Sequence, residues 1–141
     1  RGIRLEPEAI RAFEFETGLD VERTGFVESD ELSNVAYSPD GLIGEEDDVE
    51  VKCPGGKNYV KMWLTNKVPE EYYWQLIQAF VVNPILKKRY FVGYNPDITI
   101  HPMHIIEVNR GDVLDDIELA RSEQIKVLKE VEEKLSNLIE I

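Results

Sequence analysis

The stretch SPDGLIGEEDDVEVKCP, residues 38–54, decides the fold. At its centre is an acidic turn, Glu45-Glu46-Asp47-Asp48, and the segments on either side read as two strands of a hairpin. Folding that turn returns Asp40, itself in an Asp-Gly turn, to the side of Glu50. Glu50-Val51-Lys52 belongs to an alternating run that ends at Cys53-Pro54, residues 48–53 being the strand. The strand period of two places Glu50 and Lys52 on one face and points Val51 into the opposite layer.

Two carboxylates in one small space do not both ionise comfortably without a cation between them. A hard divalent ion resolves the conflict, because Mg²⁺ accepts one or two carboxylates and fills its octahedron with water and phosphate oxygens. In this reading Asp40 and Glu50 are the metal ligands, and Val51 offers its backbone carbonyl as a third. Lys52 would hold the attacking water and offset charge on a phosphate, while the ion lowers the water's pKa. That is the layout of a divalent-metal nuclease site. Glu-x-Lys alone is weak, since Glu132 and Lys134 repeat it in a segment that reads as helix. The composite of Asp-Gly, hairpin spacing and Glu-x-Lys strand is the stronger signal.

With 141 residues the chain suits one domain, residues 1–141. No apolar run approaches the roughly 18 residues of a membrane span. No secretory leader is visible, and because the first residue is Arg1, an N-terminal portion is expected to be missing from this sequence. The single cysteine, Cys53, rules out an internal disulfide and argues against a cluster or zinc site, so the default location is cytoplasmic. A net charge of −12 argues at first sight against a polyanionic partner. Its distribution reverses that: residues 1–51 hold 4 basic and 15 acidic groups, residues 52–110 hold 8 and 4, and residues 111–141 hold 4 and 9. The only positive third follows the candidate site.

Working outward, residues 5–17 read as an amphipathic helix, with Leu5, Ala9, Ala12 and Phe13 at helical spacing and Gly18 as its stop. Glu6 and Glu8 fall in its expected first turn, where acids complement the helix dipole. Residues 21–27 and 34–43 are read as strands that complete a three-strand meander with residues 48–53. Residues 57–65 read as a helix with Lys57 and Lys61 one turn apart and Tyr59 and Trp63 interleaved, which fits either a DNA-tracking face or partial core. Pro69 opens a second helix, residues 70–82, apolar nearly all round and so expected to be buried. Gln75 and Gln78 are its anomaly: Gln75 either reaches the metal site or faces solvent.

Lys87-Lys88-Arg89 reads as a solvated loop or a phosphate contact, ahead of strands at 90–94 and 103–108. Zinc at Cys53, His101 and His104 is disfavoured, because residues three apart in a strand face opposite ways. From Asp112 one long helix is expected, with a stripe of Leu114, Ile117, Ile125, Leu128, Val131, Leu135 and Leu138 that packs on the sheet or makes an oligomer contact.

In order, these elements resemble the PD-(D/E)XK nuclease core, an α/β fold with a central mixed sheet flanked by helices and a long C-terminal helix. More narrowly the chain resembles the lambda exonuclease and YqaJ branch of phage recombination nucleases, through GIRLEPEA at 2–9, FEFETG at 13–18, SPDGL at 38–42, EVKCP at 50–54 and YYWQ at 72–75. The resemblance implies Mg²⁺ or Mn²⁺ on Asp40, Glu50 and the Val51 carbonyl, with Lys52 activating water, Glu6 beside the metal site and Gln75 on the helix that follows the hairpin. It also implies 5′-to-3′ degradation of linear double-stranded DNA, a single-strand annealing protein as partner, a trimer in some relatives, and a phage or prophage origin. An endonuclease or repair nuclease of the same superfamily is the alternative within enzymes. Outside them stands a non-catalytic binding module on this fold, against which the intact Asp40, Glu50 and Lys52 argue.

Overall fold

Helices and strands alternate in the computed structural model much as the hydrophobic periods predict. It describes residues 2–23, 27–28, 36–37 and 39–139, with side chains over 5–23 and 39–139. In chain order these make α1 (Gly2–Thr17), β1 (Val27–Glu28), β2 (Ala36–Tyr37), β3 (Gly41–Ile43), β4 (Asp47–Lys52), α2 (Gly56–Thr65), α3 (Glu70–Val82), β5 (Lys88–Tyr94), β6 (Met103–Asn109), a 3₁₀ turn at Arg110–Asp112, and α4 (Leu114–Ile139). Gly18, at φ +74°, ends α1 as expected.

Among the described residues the main sheet runs β3-β4-β5-β6, with β3–β4 and β5–β6 antiparallel and β4–β5 parallel. A parallel pair needs a long crossover, and α2 and α3 supply it. β5 is the strand buried on both faces. Tyr90, Val92 and Tyr94 face the layer of α1, with Ala9, Ile10, Phe13, Val49 and Val51. Phe91 faces the layer of α2, α3 and α4, with Met62, Leu76, Phe80 and Ile117. The sheet therefore separates two cores, and the site lies where β4 ends between them.

Several expectations need correction. The hairpin turn is residues 44–46, opened by Gly44 at φ +61°, so β4 begins at Asp47, one residue ahead of the expected strand start at Asp48. Gly41 makes no turn: a Cβ there would lie 2.1 Å from Val21 Cγ1, so glycine is required for close packing. Among the described residues the three-strand meander does not form one sheet. Glu22 contributes a single bridge to Leu42, and Val27 lies in a separate β1–β2 pair. Residues 24–26, 34–35 and 38 of those expected strands lie outside the described residues. Because α1 begins at Gly2, Glu6 and Glu8 stand in its second turn, beyond the dipole's strongest reach.

α3 is buried only on part of its surface: Leu76, Ile77 and Ala79 through Val82 are buried, while Trp74 and Gln75 are exposed. The near end of α4 packs on α3, where Gln78 and Gln124 exchange hydrogen bonds and the Tyr73 hydroxyl donates to Asp116. The helices differ in length, roughly 20 Å for 13 residues against 39 Å for 26. Val131, Leu135 and Leu138 accordingly run past α3 and are exposed. Arg110 closes the far end of α3 by donating to the carbonyls of Phe80, Asn83 and Leu86 at 3.0, 3.2 and 2.9 Å. The Phe80 carbonyl is in the last turn of α3 and the Asn83 carbonyl is at its cap, where a cation also meets the dipole, while the Leu86 carbonyl lies in the loop that follows. Arg110→Ala is therefore expected to cost about 2 kcal/mol and to lower Tm by roughly 5–10 °C, read by thermal melting.

Candidate active site

β4 builds the site by simple alternation. Val49 and Val51 are buried against the α1 layer, which fixes Asp48, Glu50 and Lys52 on the other face. Lys52 Nζ lies 3.5 Å from Glu50 Oε1 and 4.9 Å from the centre of the Tyr72 ring of α3. Across the hairpin, Asp40 Oδ2 accepts the N–H of Val51 at 2.6 Å. The paired register of β3 ends at Gly41 opposite Val49, so Val51 lies beyond it. A strand residue's N–H and C=O leave by the same edge, so the Val51 carbonyl also leaves β4 on the Asp40 side.

Burial pushes the Asp40 carboxyl up to about 6; the Val51 N–H opposes this, Glu6 and Glu50 add to it, and Lys52 opposes it. Those causes place Glu6, Glu50 and Lys52 electrostatically around Asp40. Glu6 also pairs with Arg23 at 2.8 Å. A crowded set of hard oxygen donors with one carboxyl resisting ionisation fits a divalent Mg²⁺-like ion. Among the described residues no three His, Cys, Asp or Glu side chains converge into a complete cage.

Gln75 is exposed on α3, three residues beyond Tyr72, the solvent-facing alternative of its two readings. Lys57 and Lys61 are exposed on α2. Lys61 lines, with Asn58, Thr65, Lys67 and Tyr72, a cavity of about 410 Å³ beside Lys52.

Two readings of the basic and histidine residues are overturned. Arg89 is neither a loop residue nor solvated: it lies in β5 with its side chain 2 % exposed. Its Nε meets Asp48 Oδ1 at 2.7 Å, its Nη1 meets Glu50 Oε2 at 3.1 Å, and the same nitrogen donates to the Leu76 carbonyl at 3.0 Å. The signal was alternation, since Arg89, Phe91 and Gly93 share a face opposite Tyr90 and Val92. His101 and His104 do meet, because His101 precedes β6 and escapes its alternation. Their Nε2 and Nδ1 atoms are 3.1 Å apart, His104 Nε2 is 2.8 Å from Asn66 Oδ1, and Trp63 stacks on His101 at 4.2 Å.

The mixed sheet with flanking helices and a long C-terminal helix is the fold of the lambda-exonuclease class of nucleases. Two solved structures of the alkaline exonuclease LHK-Exo from Laribacter hongkongensis, one in complex with dAMP, superpose with TM-scores of 0.82 and 0.81. Each is 26 % identical, over 99 % of this chain and 72 % of theirs. Residues 1–83 match the YqaJ-like viral recombinase domain, and the chain belongs to that family. A comparison with curated protein sequences returns no match. Family and neighbours together support a nuclease of phage-type recombination. Among the described residues no helix is long and apolar enough to cross a membrane.

Proposed function

We propose that this protein is a divalent-metal-dependent deoxyribonuclease that hydrolyses linear double-stranded DNA, working 5′ to 3′ as an exonuclease of phage-type recombination. The observation that supports it most is the arrangement of Asp40, Glu6, Glu50 and Lys52 around the end of β4, with the Asp40 carboxyl held up to about 6. Asp40, Glu50 and the Val51 carbonyl would hold Mg²⁺, or Mn²⁺ in its place, and the ion supplies an acidified water and charge neutralisation at the phosphate. Lys52, fixed between Glu50 and Tyr72, orients the water and meets the negative charge that builds on phosphorus. Water attacks phosphorus, the bond to the 3′ oxygen breaks, and a 5′-phosphate and a 3′-hydroxyl result. Glu6 steadies the site through its charge, and Gln75, exposed on α3, would contact the DNA strand as it enters. The cavity at Tyr72 has Lys61 and Lys67 in its wall together with Glu70 and Glu71, and a DNA strand would use its lysine side, with Lys57 and Lys61 on α2 as phosphate contacts.

The dAMP complex of the relative is consistent with release of 5′-mononucleotides. A single-strand annealing protein is the partner such a reaction calls for, since resection leaves a single strand, and a ring-shaped homo-oligomer around DNA fits the same role. The setting is a bacterial cell carrying a phage or prophage. The test is digestion of end-labelled linear and closed circular duplex DNA at low salt, with Mg²⁺ or Mn²⁺ against chelator. Metal-dependent loss of the linear form alone is expected, with label released first from the 5′ end. Cutting of the circle would move the assignment to an endonuclease, and absence of divalent binding would overturn it.

A further inference from the structure

We infer that Arg89 is a positioning residue that turns Glu50 into a one-oxygen ligand and so favours Mg²⁺ and Mn²⁺ over Ca²⁺; this rests on the nuclease reading of the site. In the parallel β4–β5 register Arg89 stands opposite Asp48, on the face that also holds Glu50. The guanidinium is planar and its donors are fixed in one fork, so anchoring part of it orients the rest. Asp48, fully buried, anchors Nε at 2.7 Å, and the Leu76 carbonyl anchors Nη1 at 3.0 Å. From that fixed position Nη1 reaches Glu50 Oε2 at 3.1 Å.

The consequence is an asymmetric carboxylate. Oε2 is tied inward to Arg89, whereas Oε1 lies on the side of Lys52, 3.5 Å from Nζ. Asp48 balances the Arg89 charge, so Glu50 keeps its own for a cation. Mg²⁺ asks for six oxygens in a near-ideal octahedron, which single carboxylate oxygens and waters satisfy; Ca²⁺ takes six to eight and often uses both oxygens of one carboxylate. An anchored Oε2 withholds that second oxygen.

The test is calorimetric titration of Mn²⁺ and Ca²⁺ into the parent and into Asp48→Asn/Arg89→Gln, which removes both charges of the buried pair together, with melting curves for each. The parent is expected to prefer Mn²⁺, and the folded double variant to lose about tenfold or more in Mn²⁺ affinity while Ca²⁺ affinity holds or rises. An unchanged preference in a folded double variant overturns the inference and leaves Arg89 a purely structural residue. Should the double variant not fold, a crystal structure of the parent with Mn²⁺ decides. Glu50 binding through Oε1 with Oε2 still on Arg89 supports the inference, and a bidentate Glu50 overturns it. A parent that binds neither ion overturns the nuclease reading itself, an outcome distinct from altered selectivity.

Discussion

Lys52→Ala slows cleavage of linear duplex DNA by about 10²–10³-fold, the scale expected when one preorganised charge is removed from a developing transition state. The fold survives, because Lys52 is a half-buried side chain at the end of β4 whose partner Glu50 retains Arg89. Tm should stay within roughly 3 °C of the parent. The loss should fall on kcat and spare KM, since Lys52 meets the phosphate chiefly as charge develops. Lys52→Arg separates two ways of acting. If charge alone matters, arginine restores part of the rate, whereas a role in moving a proton leaves it as slow as alanine, because guanidinium does not deprotonate. Single-turnover digestion of end-labelled DNA reads all three proteins, and a parental rate in Lys52→Ala would remove this residue from the chemistry.

Asp40→Asn abolishes metal-dependent cleavage and stabilises the metal-free protein at neutral pH. The amide oxygen can still accept the Val51 N–H, so the hairpin contact is kept while the charge goes. Burial and the neighbouring Glu6 and Glu50 raise the Asp40 carboxyl from an ordinary 3.8 to about 6 in the folded state. A raised carboxyl pKa means that the folded protein holds its proton more tightly than the unfolded chain does. Stability linked to this group is therefore fully present below 3.8 and is lost as pH rises through about 6. At pH 7.5 in chelator the variant should melt roughly 2–5 °C above the parent, and the gap should close as pH falls to about 5. Adding Mg²⁺ should raise the parent's Tm and leave the variant's unmoved. A variant that melts lower than the parent at pH 7.5 would show that the carboxylate is not crowded.

Much of this molecule is legible in its sequence, for identifiable reasons. α3 was readable at both ends because Pro69 sets its start and the apolar run ends at Val82. The Asp40, Glu50 and Lys52 arrangement was readable because a hairpin places residues by counting and a strand places them by alternation. Arg89 was not: a run of three cations beside an apolar strand looks solvated, and its burial depends on Asp48, 41 positions away. The burial of Asp48 was hidden for the same reason, since its strand position is legible but the guanidinium that neutralises it comes from far along the chain. The histidine pair was misread because strand alternation was applied to His101, which lies two residues ahead of the start of β6 at Met103.

By itself the sequence determined local periods, the order of elements and the class of chemistry, since these depend on side chains a few residues apart and on the atoms they bear. Only the tertiary structure decided that the expected meander divides, that α4 overruns α3, and which charges are paid for in the interior. Those outcomes depend on what lies opposite each strand and helix, and burial of a charge is decided by a partner that the chain brings in from far along its length.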